Sequence, residues 1–394
     1  MRLIFAVLLA SLVRAEAPRP AEPYRSLVEL AQAAPPEIAS DAILRVVESG
    51  KIKDRDVLRD LIEQAFHLGG LAKFPVRMRG KPDAVTDTRT GSLSRAYDLK
   101  LDAVSLETRA VRDMLEVDKV KALELFREIP PLALAPSACE DALVYEVSDF
   151  YRTLLGIANA AFDEKQRAKQ EHIAFVLDYL GQVTSPAQLQ PFAGALQKIT
   201  LTPEQLEILS NRLRGMAAHI PQNPVCEPNS AKVDRYWQSE AAKRLLADGL
   251  KLRTSPEGRA YTELERATPE WQLRFTAFLS EMADWTSSDE KSEADYYHEK
   301  CTIFEGLVGL IAPGPEREKL LADYVTFINR STLEQQNPVE WFMEADSMLS
   351  RLRGSDAEHG AAMELYQASG SPTLALQVAL ERTLGARPPA PPEN

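Results

Sequence analysis

The chain has 394 residues, 45% apolar and 26% charged, which excludes a disordered or fibrous protein and leaves room for two or three domains or one extended array. A formal charge of −12 repels phosphate and argues against nucleic acid as a partner. Only 18 glycines are present, which argues against a function built on glycine-rich loops.

The first fifteen residues read as a signal peptide. Arg2 precedes an apolar run from Leu3 to Val13, interrupted by Ser11, and small residues follow at Ala15 and Ala17. That run is too short to cross a bilayer as a stable helix, whereas a basic start and a small-x-small exit suit a signal peptidase. Cleavage after Ala15 removes Arg2 and Arg14 and no acid, so the charge moves from −12 to −14. The protein is then expected to be exported to a periplasmic or extracellular compartment. No later segment has 18 consecutive apolar residues, so the mature chain is not expected to span a membrane.

Residues 16–220 are expected to form an N-terminal helical region. Inside it, residues 69–92 break the helical rhythm with Gly69-Gly70, prolines at 75 and 82, and a local excess of Lys73, Arg77, Arg79, Lys81 and Arg89 over Asp83 and Asp87. A long loop inside a compact domain is either functional or a mobile solvated excursion. The functional version is an interaction loop, with Phe74 as apolar anchor and Arg77 and Arg79 presenting cations to an acidic partner.

Beyond it, Leu143, Val147, Phe150, Leu154 and Ile157, widened by Val144, Tyr151 and Leu155, predict a central helix. Three-and-four spacings recur in Ile173, Val176, Leu180 and Val183, in Leu206 to Ile220, in Trp271 to Trp285, and in Phe342 to Leu352. Ser185-Pro186, Thr202-Pro203, Ser255-Pro256, Thr268-Pro269 and Ser371-Pro372 each place a hydroxyl at an N-cap and proline at the first helical position. Residues 221–229, with prolines at 221, 224 and 228, read as a linker to a C-terminal helical region, 230–385, and residues 386–394 as a disordered tail. The whole predicts an all-α fold: an array of roughly fifteen antiparallel amphipathic helices, solenoid-like or two fused helical bundles. Tetratricopeptide landmarks do not recur at 34 residues, and no family pattern emerges.

Residues able to carry chemistry are few. Cys139 and Cys226 lie in matching proline-bearing loops separated by four expected helices, so both loops emerge on one side and a disulfide is geometrically possible, two free thiols being the alternative. Cys301 reads as a buried small hydrophobe. Asp295, His298 and Cys301 stand three apart but drift off a common point over two turns, so they read as a solvated helix face, and no metal or other cofactor is expected. His67, His172, His219 and His359 stand alone and suit capping or surface roles. Glu146 and Asp149 are paired carboxylates, with Arg152 spaced to neutralise Asp149. No Gly-x-Ser-x-Gly, Ser-x-x-Lys or HExxH motif occurs. The leading expectation is an exported, non-enzymatic helical protein offering an extended surface to a protein or an envelope polymer. The alternative is a cell-envelope hydrolase or lyase whose acids come from separate helices.

Overall fold

A computed structural model describes residues 24–80, 88–135, 143–220, 268–286, 292–311 and 313–387. The expected signal peptide, the linker at 221–229, Cys139 and Cys226 with their disulfide, and residues 388–394 of the tail lie outside these residues.

The fold is all-α. The helices are α1 (Tyr24–Ala31), α2 (Pro36–Glu48), α3 (Arg55–Gly69), α4 (Thr88–Asp98), α5 (Ala103–Val117), α6 (Lys119–Glu128), α7 (Ser148–Ala160), α8 (Glu164–Ala168) and α9 (Glu171–Leu180). They continue with α10 (Pro186–Leu196), α11 (Pro203–Ala217), α12 (Pro269–Asp284), α13 (Glu293–Leu310), α14 (Pro315–Arg330), α15 (Leu333–Gln336), α16 (Pro338–Leu352), α17 (Asp356–Ala368) and α18 (Pro372–Leu384).

The helix starts follow local chemistry. Ser185 and Thr202 each accept a backbone N–H at the start of α10 and α11, Gln188 and Gln205 reach back to the cap residues' own N–H groups, and proline opens each helix. This reciprocal pairing satisfies donors that a helix end leaves open. Asp118 ends α5 and caps α6, its carboxylate accepting from the amides of Val120 and Lys121 at 3.0 Å. The expected starts at Pro269 and Pro372 are also present, whereas Ser255-Pro256 lies outside the described residues.

Successive helices pack on one another: α2 on α3, α3 on α5, α5 on α6 and α7, and α7 on α9 and α10. Later in the chain α13 packs on α14, α16 on α17, and α17 on α18. Among the described residues, several elements cross between these groups, α16 on α2 among them. Helix α4 packs on α13 and α16, and α18 returns to α1 and α2, so one buried apolar cluster extends from Leu44 and Phe126 to Trp341 and Leu376.

Helix α16 lies at the centre of the later group. Tyr297, Tyr324 and Tyr366, from three different helices, donate to its carbonyls at Trp341, Glu344 and Ala345, each at 2.9 Å. The Trp341 indole donates outward to the Ile328 carbonyl at 2.8 Å. Buried hydroxyls and indoles need such partners, and together they fix the rotation of α16 about its axis.

Two expectations are corrected. The helix expected from Leu143 begins only at Ser148, because Leu143–Tyr145 form a strand, β2. It pairs antiparallel with β1 (Met78–Gly80), with Met78 opposite Tyr145 and Gly80 opposite Leu143. A short apolar run carries no periodicity that separates strand from helix, and here the ladder with β1 decides. The Glu146 amide extends it by donating to the Arg77 carbonyl at 2.9 Å.

The open loop expected over 69–92 is likewise partly ordered: its described part contains β1 and the first turn of α4. Phe74, 5% exposed, packs on the Tyr97 ring at 4.4 Å between centroids. Arg77, 6% exposed, lies 3.7 Å from the Asp98 carboxylate. Both side chains are therefore buried within the chain. Arg79 is the exposed member of the trio, with Glu146 at 3.4 Å. Among the described residues no helix is long and apolar enough to cross a membrane.

Candidate functional site

Helix α2 carries Asp41, Arg45 and Glu48, and α5 carries Ser105, Arg109 and Arg112, at the same spacing of four and three. That spacing sets each trio on one helix face. The two faces meet over a cavity of about 700 Å³, closed by the end of α4 (Asp98 to Lys100), Asp149 in the first turn of α7, Asp346, Ser350 and Arg353 of α16 and its C-terminal cap, and Arg387 beyond α18. Six cations and five acids line it, so the cavity is strongly charged yet nearly balanced in sign.

The charges are interlocked. Arg109 donates twice to Glu48, both at 2.6 Å, and once to Asp41 at 2.7 Å. Arg387 covers both oxygens of Asp41, at 3.2 and 2.6 Å. Burial pushes the Asp41 carboxyl up, but Arg387, Arg109 and Arg45 outweigh it and hold it well below the usual carboxylate range. At the other end, Asp149 accepts from Lys100 at 3.0 Å, Arg112 at 3.4 Å and Arg152. Burial raises its pKa, and Lys100, Arg112 and Arg152 reverse the shift, holding it well below normal. Lys100 holds a left-handed backbone, φ 56°, at the turn from α4 to α5, a conformation uncommon for a side-chain-bearing residue. The Asp149–Arg152 pair expected from spacing is present, joining an exposed arginine to a buried carboxylate that Lys100 and Arg112 also reach.

A second polar cluster lies on a different face of α16. His298 of α13 is 0% exposed, with Nδ1 2.7 Å from Glu344 and Nε2 2.9 Å from Glu340. Burial lowers its pKa, yet the hydrogen bonds and charges of the two glutamates win and hold it above 6.5, so both ring nitrogens donate. The solvated face expected for Asp295, His298 and Cys301 is thus corrected: only Asp295 faces water, and Cys301 is a buried free thiol as expected. The missed signal was the pair Glu340 and Glu344, one turn apart among the apolar residues of the first half of α16. His172 and His359 are also buried, against the surface or capping roles expected of them, and His359 lies 3.2 Å from Glu381.

A shallower cavity of about 480 Å³ lies against α6 and α9, where Phe162, Phe175 and Tyr179 meet Arg127 and Asp178. It draws on fewer converging charges. The charged cavity, fed by six separate stretches of chain, is the candidate site. Its parts were in the sequence as the two charged trios, but amphipathic spacing alone reads such faces as solvated. No family model, curated protein or solved structure matches this chain.

Proposed function

We propose that the protein is an exported, non-enzymatic helical binding protein that takes a charged segment of a protein or envelope polymer into the cavity between α2, α5 and α16. The carrying observation is that cavity: about 700 Å³, within the usual range for ligand pockets of about 300–1,000 Å³, with charges of both signs converging on it. Its buried carboxylates support binding over proton transfer. Asp41 and Asp149 are held ionised by several cations each and make poor acids or bases near neutral pH. Export is supported by the basic start, short apolar run and small residues at the beginning of the chain.

The alternative, an envelope hydrolase or lyase with acids from separate helices, finds its two raised carboxyls, Glu107 and Asp113, on the single helix α5. Burial first, then neighbouring carboxylates, pushes each up to about 7, suited to proton transfer. Neither is among the residues lining the charged cavity.

The test compares the wild-type protein with Lys100→Ala/Arg112→Ala in affinity capture from the host's envelope fraction, with bound species identified by mass spectrometry. A partner that binds the wild type, is released by moderate salt, and is lost from the double variant supports the reading. Equal capture by both proteins overturns it.

A further inference from the structure

One lining residue of the cavity, Arg387, belongs to no helix. Helix α18 ends at Leu384; Gly385, with φ 89°, turns the chain toward α2; Arg387 enters the cavity two residues later. The Arg45 guanidinium donates to the Gly385 carbonyl at 3.0 Å, so α2 grips the backbone of this short stretch as well as its side chain. The Arg387 guanidinium lies 5.9 Å from the centre of the Phe342 ring and forks onto Asp41, its Nη1 on Oδ1 and Nη2 on Oδ2.

Asp41 needs that fork. Two of the Arg109 nitrogens are committed to Glu48, and the third reaches only Oδ1 of Asp41. Oδ2 is served by Arg387 alone among the described hydrogen bonds, at 2.6 Å. A carboxylate 1% exposed cannot turn to water for a replacement. Planar, two-point recognition of a carboxylate suits guanidinium and not ammonium, and an aromatic face beside it adds to the preference.

We infer that Asp41, Arg45 and Phe342 form an arginine-recognition subsite, occupied here by the chain's own Gly385-Ala386-Arg387, and that the ligand of the cavity is a polypeptide segment presenting arginine two residues after a free backbone carbonyl. This inference rests on the cavity being a binding site and names what binds. The chain's own Gly385-Ala386-Arg387 stretch competes with the partner at the high effective concentration of a tethered ligand, so binding in trans requires its displacement.

The experiment uses the full chain and the probe acetyl-Gly-Ala-Arg-amide, with the lysine and glutamate counterparts as controls, by isothermal titration calorimetry. Arg387→Ala is expected to bind the arginine probe at least about tenfold more tightly than the wild type, with the competing guanidinium gone. The lysine probe should bind more weakly, and Phe342→Leu in the Arg387→Ala background should weaken the arginine probe several-fold. Asp41→Asn in that background should abolish binding, and the Phe342→Leu comparison stands should the Asn variant misfold. Equal affinity of the arginine and lysine probes, or no gain over wild type from a folded Arg387→Ala, overturns the inference. So does an Arg387→Ala protein that no longer folds, since Arg387 is then a structural staple. If the glutamate probe binds instead, and does so through Lys100 and Arg112, the cavity remains a binding site and only its arginine specificity falls. If no probe binds any variant and no envelope partner depends on Lys100 and Arg112, both readings fall together.

Discussion

Replacing His298 by glutamine tests a fully buried polar cluster. The imidazolium sits between Glu340 and Glu344, and its loss leaves two buried carboxylates short of a cation. Glu340 keeps the Asn337 amide at 2.6 Å, while among the described residues Glu344 keeps Arg95 at 3.9 Å. Removing one partner of a buried ion pair costs about 3–5 kcal/mol. With an unfolding entropy of about 2.1 cal/mol/K per residue, a chain of this length has about 0.8 kcal/mol/K in all, so a 4 kcal/mol loss lowers Tm by about 5 °C. The pH dependence has a definite sign. The native imidazole pKa is raised above 6.5, so its stabilisation is complete below that value and is lost as pH rises through the native pKa. Thermal melts followed by circular dichroism should therefore show the largest gap between wild type and His298→Gln at pH 6, narrowing toward alkaline pH. A gap under about 1 °C at pH 6, or one that widens as pH rises, refutes the ion-pair account.

The packing and the helix ends make their own predictions. Phe126 is fully buried with ring centres at 5.2 Å from Phe150, 5.9 Å from Phe175 and 5.1 Å from Tyr179, so Phe126→Ala should cost about 3–5 kcal/mol in urea unfolding, and Phe126→Leu clearly less. Thr202→Ala removes the α11 cap and should cost about 1 kcal/mol, with faster hydrogen exchange at the Gln205 amide and recovery in Thr202→Ser. Burial, with Asp102 and Glu128 nearby, pushes Glu107 from 4.5 to about 7. Between those values the unfolded chain ionises first, so this residue erodes stability as pH rises from 4.5 to 7 and the loss levels off above. Glu107→Gln should gain on the wild type over that interval, by up to about 3 kcal/mol at pH 8; a constant difference from pH 4 to pH 8 would show that Glu107 titrates normally.

Some of the fold is written locally. The starts of α10, α11, α12 and α18 follow from a hydroxyl, a proline and an amphipathic run within a few residues, because a cap hydrogen bond and a fixed φ need nothing from the rest of the chain. The three-and-four spacing of apolar residues likewise selects helix over sheet for most of the protein, since one buried face is common to any partner that covers it.

What only tertiary structure decided is where charge is buried and what pairs with it. Leu143–Tyr145 became a strand through an edge offered by Met78–Gly80, more than sixty residues earlier. His298 depends on glutamates from α16, and Asp41 on an arginine 346 positions away. A charged residue at helical spacing reads the same in solvent or in a cavity. The difference lies in whether distant partners supply enough hydrogen bonds and opposite charge to offset its lost hydration, and that is a property of the assembled fold.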